Sequence, residues 1–149
     1  FGVNALARLE LDVLSLPGVT HVVVLEGIND IGLGGTLAPE VATSEEIIAG
    51  HRQLIARVHA RGLKIYGATL TPFGDAFYFS AEGEVKRQEV NEWIRTSGAY
   101  DAVIDFDAVT RDPNQPSRFR PGFSEDGLHP NDMGYKAMAD AIDLTLFDL

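Results

Sequence analysis

The stretch His21-Val22-Val23-Val24-Leu25-Glu26-Gly27-Ile28-Asn29-Asp30 decides the fold. Its first half is a short apolar run rich in β-branched residues, as expected of a strand covered on both faces, and it should be buried. Its second half leaves that strand through a glycine into polar residues, where a loop can present side chains at the top of a sheet. Asn29 in that place can offer an amide N–H to a developing oxyanion. Upstream, Asn4 is an N-cap for a helical stripe of Leu6, Leu9, Val13 and Leu16 that Pro17-Gly18 ends. Downstream, Thr43-Ser44-Glu45-Glu46 has the pattern of a capping box and opens a helix with Ile47, Ile48, Leu54, Ile55 and Val58 on one face, stopped at Gly62. Residues 63–70 read as a second strand whose Thr71-Pro72-Phe73-Gly74 exit lies at the same end as Asn29. A helix over 80–96, carrying Val85, Val90, Trp93 and Ile94, precedes a third strand at 102–106. A long loop over 107–128 follows, and a last helix over 131–147 buries Met138, Ala141, Ile142 and Thr145. Repeated strand-helix units imply one three-layer α/β domain over residues 1–149, with a parallel sheet and right-handed crossovers.

The second informative segment is Asp126-Gly127-Leu128-His129-Pro130. An Asp three residues before a His can fold its carboxylate back onto the imidazole Nδ1–H and leave Nε2 as a base, the arrangement that serves acyl transfer. Such a site also needs a nucleophile.

These two segments resemble the SGNH, or GDSL-type, esterases and lipases. VVVLEGINDIG (22–32) is similar to the third conserved block of that family and DGLHPNDMGYKAMADAID (126–143) to the fifth, within a likeness that runs from about residue 4 to about residue 142. The resemblance implies a three-layer α/β/α, flavodoxin-like hydrolase fold with no cofactor, Asn29 and Gly27 as block-three residues, Asn29 as oxyanion-hole donor, and Asp126 and His129 as acid and base of a triad. The family's first block, which carries the nucleophilic serine, and its second, with an oxyanion-hole glycine, belong upstream of Gly27 and are not found there. Phe1-Gly2-Val3-Asn4-Ala5-Leu6-Ala7-Arg8 looks like family sequence shortly before block three, so the chain is expected to begin inside the fold and to lack the N-terminal strand or strands. In the family the serine-bearing strand pairs beside the block-three strand. Its loss leaves residues 22–25 at a sheet edge and predicts a homo-oligomer that covers it.

Composition narrows the partners. At 149 residues the chain can bury roughly 68–70% of its unfolded surface, enough for a single core. A net charge of −10, with no basic stripe, argues against nucleic acid or an anionic membrane. There is no cysteine, hence no disulfide or thiolate chemistry. No signal peptide or apolar run of spanning length is present, and the compartment stays open, although many members of the family are secreted. The expected partner is a small-molecule ester.

Other residues read more plainly. Ser124, two before Asp126, is the serine nearest the site by sequence, but the family pattern gives it no catalytic role. Ser44, Ser80, Ser97 and Ser117 stand in no motif. Residues 27–35 lack the Lys-Ser/Thr ending of a phosphate-binding loop. His51 reads as a half-buried packing residue, and His21 and His59 as surface residues. Asp105 and Asp107 suit turn and loop hydrogen bonding better than a metal, and Arg118 and Arg120 suit solvent. Trp93 and Phe77-Tyr78-Phe79 suit core and lid packing, the latter with the option of lining an acyl pocket.

Overall fold

The computed structural model describes residues 3–33 and 41–147. Phe1-Gly2 and the latter part of the loop over 27–35 lie outside those residues. One parallel sheet is formed by β1 (His21–Val24), β2 (Lys64–Ala68) and β3 (Ala102–Ile104), in that order. Val22 stands opposite Ile65 and Val24 opposite Gly67, while Tyr66 and Ala68 stand opposite Ala102 and Ile104.

The two-residue period of the strands builds two cores. Val22, Val24 and Ile65 face a larger core shared with α1 (Ala5–Leu9), α3 (Ser44–His59) and α4 (Ala81–Thr96), through Leu9, Ile47, Leu54, Val58, Val90 and Ile94. Tyr66, Ala68 and Ile104 face a smaller one closed by Phe106 of α5 (Phe106–Thr110), Met138 of α6 (Asp132–Asp140) and the 3₁₀ turn Leu144–Phe147. A sheet between two helical layers is the expected three-layer α/β architecture. In α3 the Thr43 hydroxyl accepts the Glu46 N–H at 3.1 Å and the Glu46 carboxylate accepts the Thr43 N–H at 2.9 Å. Burying one such apolar side chain is worth roughly 1.5–3 kcal/mol and a cap about 1 kcal/mol, so packing makes this helix and the box sets where it starts.

Several expectations are corrected. β1 is not covered on both faces: Val23 is 44% exposed and Leu25 41%. β1 lies at an edge of the sheet, and among the described residues His21 is where it meets the smaller core, packing on Tyr66 and Phe147. The first helix passes at Glu10 into a π-helical turn, Glu10–Leu14, and Leu16 is exposed. Val85 points to solvent from α4. The third strand ends at Ile104, because the Asp105 carboxylate accepts the Ala108 N–H at 3.1 Å and opens α5 within what read as strand and loop. The last helix stops at Asp140, and Ala141 and Thr145 are exposed. There Asp143 accepts both the N–H and the hydroxyl of Thr145, at 3.0 and 2.7 Å, a local alternative to the helix ladder.

Candidate active site

Parallel strands deliver their following loops to one end of a sheet, where open α/β folds bind ligands. β1 leads into α2 (Ile28–Gly32), which carries Asn29. β2 leads into the segment that holds Asp75 and Tyr78, and β3 leads through α5 to the turn with Asp126 and His129.

The Asp-His turn forms as expected. Asp126 Oδ2 lies 2.7 Å from His129 Nδ1, while its Oδ1 accepts the backbone N–H groups of His129 and Leu128 at 2.8 and 2.9 Å. The His129 side-chain bond first, then those two N–H groups, hold the Asp126 carboxyl well below the usual carboxylate range. A carboxylate that stays ionised accepts from Nδ1–H, which leaves Nε2 as the basic nitrogen. His129 is 71% exposed at its side chain, and among the described residues its Nε2 has no protein partner. Gly127, at φ +74, lets the turn close over Asp75: a Cβ there would fall 2.4 Å from Asp75 Cβ. Asn131 completes the segment by accepting the Met133 and Gly134 N–H groups at the start of α6.

At the other half of the site, Gly27 takes φ +124 at the start of α2, a conformation that side chains with a Cβ rarely adopt, and so turns the chain from β1 toward Asn29. His51, expected to be a packing residue, holds this turn. Its Nε2 lies 3.1 Å from the Glu26 carbonyl, which can only accept; Nε2 therefore carries the proton, and Nδ1 accepts from the Tyr100 hydroxyl. Burial pushes the His51 pKa down, against smaller upward effects of the Glu26 carbonyl and Asp30, and the ring is neutral. Asn29 is exposed, and its Oδ1 accepts a hydrogen bond from the Tyr78 hydroxyl at 3.1 Å.

The segment with Asp75 and Tyr78 thus lies between the two halves. Tyr78 touches Asn29, and Asp75 lies under Gly127. Burial, then the nearby charge of Asp126, pushes the Tyr78 phenol up to about 12. A cleft of about 620 Å³ opens beside Gly27, Asn29 and Asp30, and another of about 320 Å³ beside Asp75, Ser124 and Asp126. Ser124 is spent on the turn: its Oγ donates to the His129 carbonyl at 2.7 Å and accepts the Gly127 N–H at 2.9 Å. Ser44 bonds Glu89, Ser80 caps α4 and Ser97 accepts from Ala99, so none of these hydroxyls engages His129.

A family model of the GDSL-like lipase/acylhydrolases matches residues 2–137. The chain belongs to this family. Solved structures share the fold of this GDSL-like chain. A GDSL-like lipase from Bacteroides thetaiotaomicron aligns with TM-score 0.73 and 19% identity over 91% of this chain and 65% of its own. A catalytic mutant of an acetylxylan esterase from Geobacillus stearothermophilus gives 0.68 and 21% over 92% of this chain and 63% of its own. The acetyl xylan esterase AlAXEase gives 0.69 and 21% over 92% and 71%. The chain spans less than two thirds of the length of the first two. No curated protein matches it.

Within this GDSL-like domain, a buried charge cluster joins the loops. Asp107 is fully buried and accepts from Arg87 at 2.7 Å, Arg95 at 2.7 Å and Arg111 at 2.6 Å. Arg87 also donates to the Leu70 and Pro116 carbonyls, tying the exit of β2 to the loop after α5. Asp105 and Asp107 are therefore arginine partners as well as turn residues. Arg118 pairs with Asp75 at 3.2 Å, with both side chains about half exposed. Among the described residues no group of His, Cys, Asp and Glu is arranged to hold a metal, and no helix is long and apolar enough to cross a membrane. Tyr78, His51 and Arg87 are the residues that sequence reading missed. Each is bonded to residues far away in the chain; the local signals were His51 on the apolar face of α3 and Arg87 on the apolar side of α4 with Val90 and Ile94.

Proposed function

We propose that the chain carries the site of a carboxylic ester hydrolase for small, short-chain acyl esters, with His129 as general base, Asp126 orienting it, Asn29 as oxyanion donor and Gly27 shaping the turn that presents Asn29. The observation that carries this reading is the 2.7 Å contact of Asp126 with His129 Nδ1, with Nε2 left toward solvent. Family membership supports hydrolysis, and the two acetylxylan esterases of like fold support a short acyl group.

Water is the nucleophile this arrangement accommodates. His129 Nε2 removes a proton as the water oxygen attacks the acyl carbon. Asn29 stabilises the resulting oxyanion, and collapse expels the alcohol, which takes the proton back from the imidazolium. General-base catalysis of this kind is worth roughly 10²–10⁴-fold, which suits activated or short esters. A second reading, favoured by the engagement of Ser124 in its own turn, is a site that binds ligand but completes its chemistry only with a serine from another polypeptide. In either case we propose that the sheet edge at residues 22–25, where Val23 and Leu25 are exposed, pairs with a second copy of the chain.

The deciding experiment is p-nitrophenyl acetate hydrolysis by purified protein, with His129→Ala and Ser124→Ala in parallel and a serine-directed phosphonate followed by mass spectrometry. Turnover that depends on His129, persists in Ser124→Ala and leaves no serine labelled is expected. Turnover no greater than that of His129→Ala sinks the free-standing esterase and leaves the second reading.

A further inference from the structure

An asparagine used as an oxyanion donor has an ambiguity that a backbone N–H lacks. Its terminal torsion is broad and roughly two-fold, so the amide can show either its N–H₂ or its carbonyl oxygen to the reacting centre. Only the first orientation stabilises negative charge; the second repels it. Asn29 is exposed on a five-residue helix, and among the described residues its side chain has one hydrogen-bond partner, the Tyr78 hydroxyl at 3.1 Å from Oδ1.

Tyr78 is built in firmly. Its ring is 9% exposed and packs edge-on to Phe77 at 4.7 Å between centroids, with Phe73 at 6.1 Å. It also lies flat against Gly32, one turn beyond Asn29 on α2, where a Cβ would fall 2.1 Å from ring carbons Cδ2 and Cε2. The glycine at the end of α2 therefore makes the slot, and the ring in that slot brings its hydroxyl to Asn29 on the same helix. The phenol, raised to about 12, keeps its proton through neutral pH and can therefore make the donation to Oδ1 seen here at 3.1 Å.

We propose that Tyr78 is the positioning residue of the oxyanion donor: seated on Gly32, it donates to Asn29 Oδ1 and thereby turns Nδ2–H₂ toward the site where the acyl oxygen develops charge. The part that concerns the acyl oxygen rests on the esterase reading; the hold on the amide does not.

The test pairs nuclear magnetic resonance of the Asn29 side-chain amide with kinetics. Tyr78→Phe keeps the ring and removes the hydroxyl. In the parent chain the Asn29 Nδ2 order parameter is expected in the rigid range, about 0.8, and in Tyr78→Phe it is expected below about 0.6. Where the parent hydrolyses p-nitrophenyl acetate, kcat is expected to fall roughly tenfold with KM little changed, the scale of one lost hydrogen bond. An unchanged order parameter in Tyr78→Phe overturns the proposal, whatever the activity. Asn29→Asp separates this failure from that of the esterase reading, because it keeps an acceptor for Tyr78 but has no N–H. If Asn29→Asp turns over ester as fast as the parent, the oxyanion role falls, while the amide measurement still decides for or against the hold by Tyr78.

Discussion

Asp126 is bound almost wholly by the turn that contains it, and the consequences of changing it are correspondingly local. Asn in its place keeps the shape but presents an amide to Nδ1 and loses the charge that stabilises imidazolium. Asp126→Asn is therefore expected to cut kcat for p-nitrophenyl acetate by 10²-fold or more, with little change in thermal stability, as measured by steady-state kinetics beside a melting curve. Asp105 makes a different prediction. Burial raises its pKa, but the bonds from Arg95, the Ala108 N–H and the Thr69 hydroxyl outweigh that and bring it down to about 2, from an ordinary 3.8. A carboxylate whose folded value is depressed stabilises the fold fully above the unfolded value and loses that contribution as pH falls through the folded one. The stability gap between the parent and Asp105→Asn should accordingly be constant above about pH 5 and close between about pH 4 and 2, as read from urea unfolding over that range.

At the scale of elements, what was legible in the sequence is what neighbours in the sequence determine. The capping box at Thr43 and Glu46, the apolar face of α3 and the Asn4 cap are all written within a few residues of themselves, whereas the Ser80 cap of α4, equally local, went unread. The Asp126-His129 pair was legible for the same reason, being closed three residues apart. Asp105 was visible as a turn residue, and its cap of α5 through the Ala108 N–H is as local as the Asp126 turn but went unread; its bonds to Arg95 and Thr69, which come from other elements, were not legible. Tyr78 read as packing because nothing near it in the chain points to Asn29. Arg87 belongs to this long-range class, and its loss should be felt as loosened joints between loops. Arg87→Met removes a fully buried cation from Asp107 and Glu84 while Arg95 and Arg111 still pair with Asp107, so a cost of about 3 kcal/mol is expected in chemical denaturation.

Over the whole molecule, the sheet has an unequal pair of edges. β3 shows Val103 at 36%, whereas β1 shows Val23 and Leu25, at 44% and 41%, to solvent beside its outer edge. If copies of the chain associate there, a charge on that strand opposes the contact. Val23→Lys is expected to shift sedimentation velocity toward the monomer at equal concentration; an unchanged distribution places the contact elsewhere or shows that there is none. The two halves of the site also form on different clocks. The turn that carries the base is closed by bonds among Ser124, Asp126, Gly127 and His129, a loop short enough to close in about 10–100 ns. Asn29 meets Tyr78 only after β1 has found β2 across the whole of α3, and parallel pairing of this kind is slow because the loop must be closed before any contact rewards it. On the esterase reading, a refolding chain would close the histidine turn early and seat Asn29 late, so that regained turnover would report completion of the sheet rather than the birth of that turn.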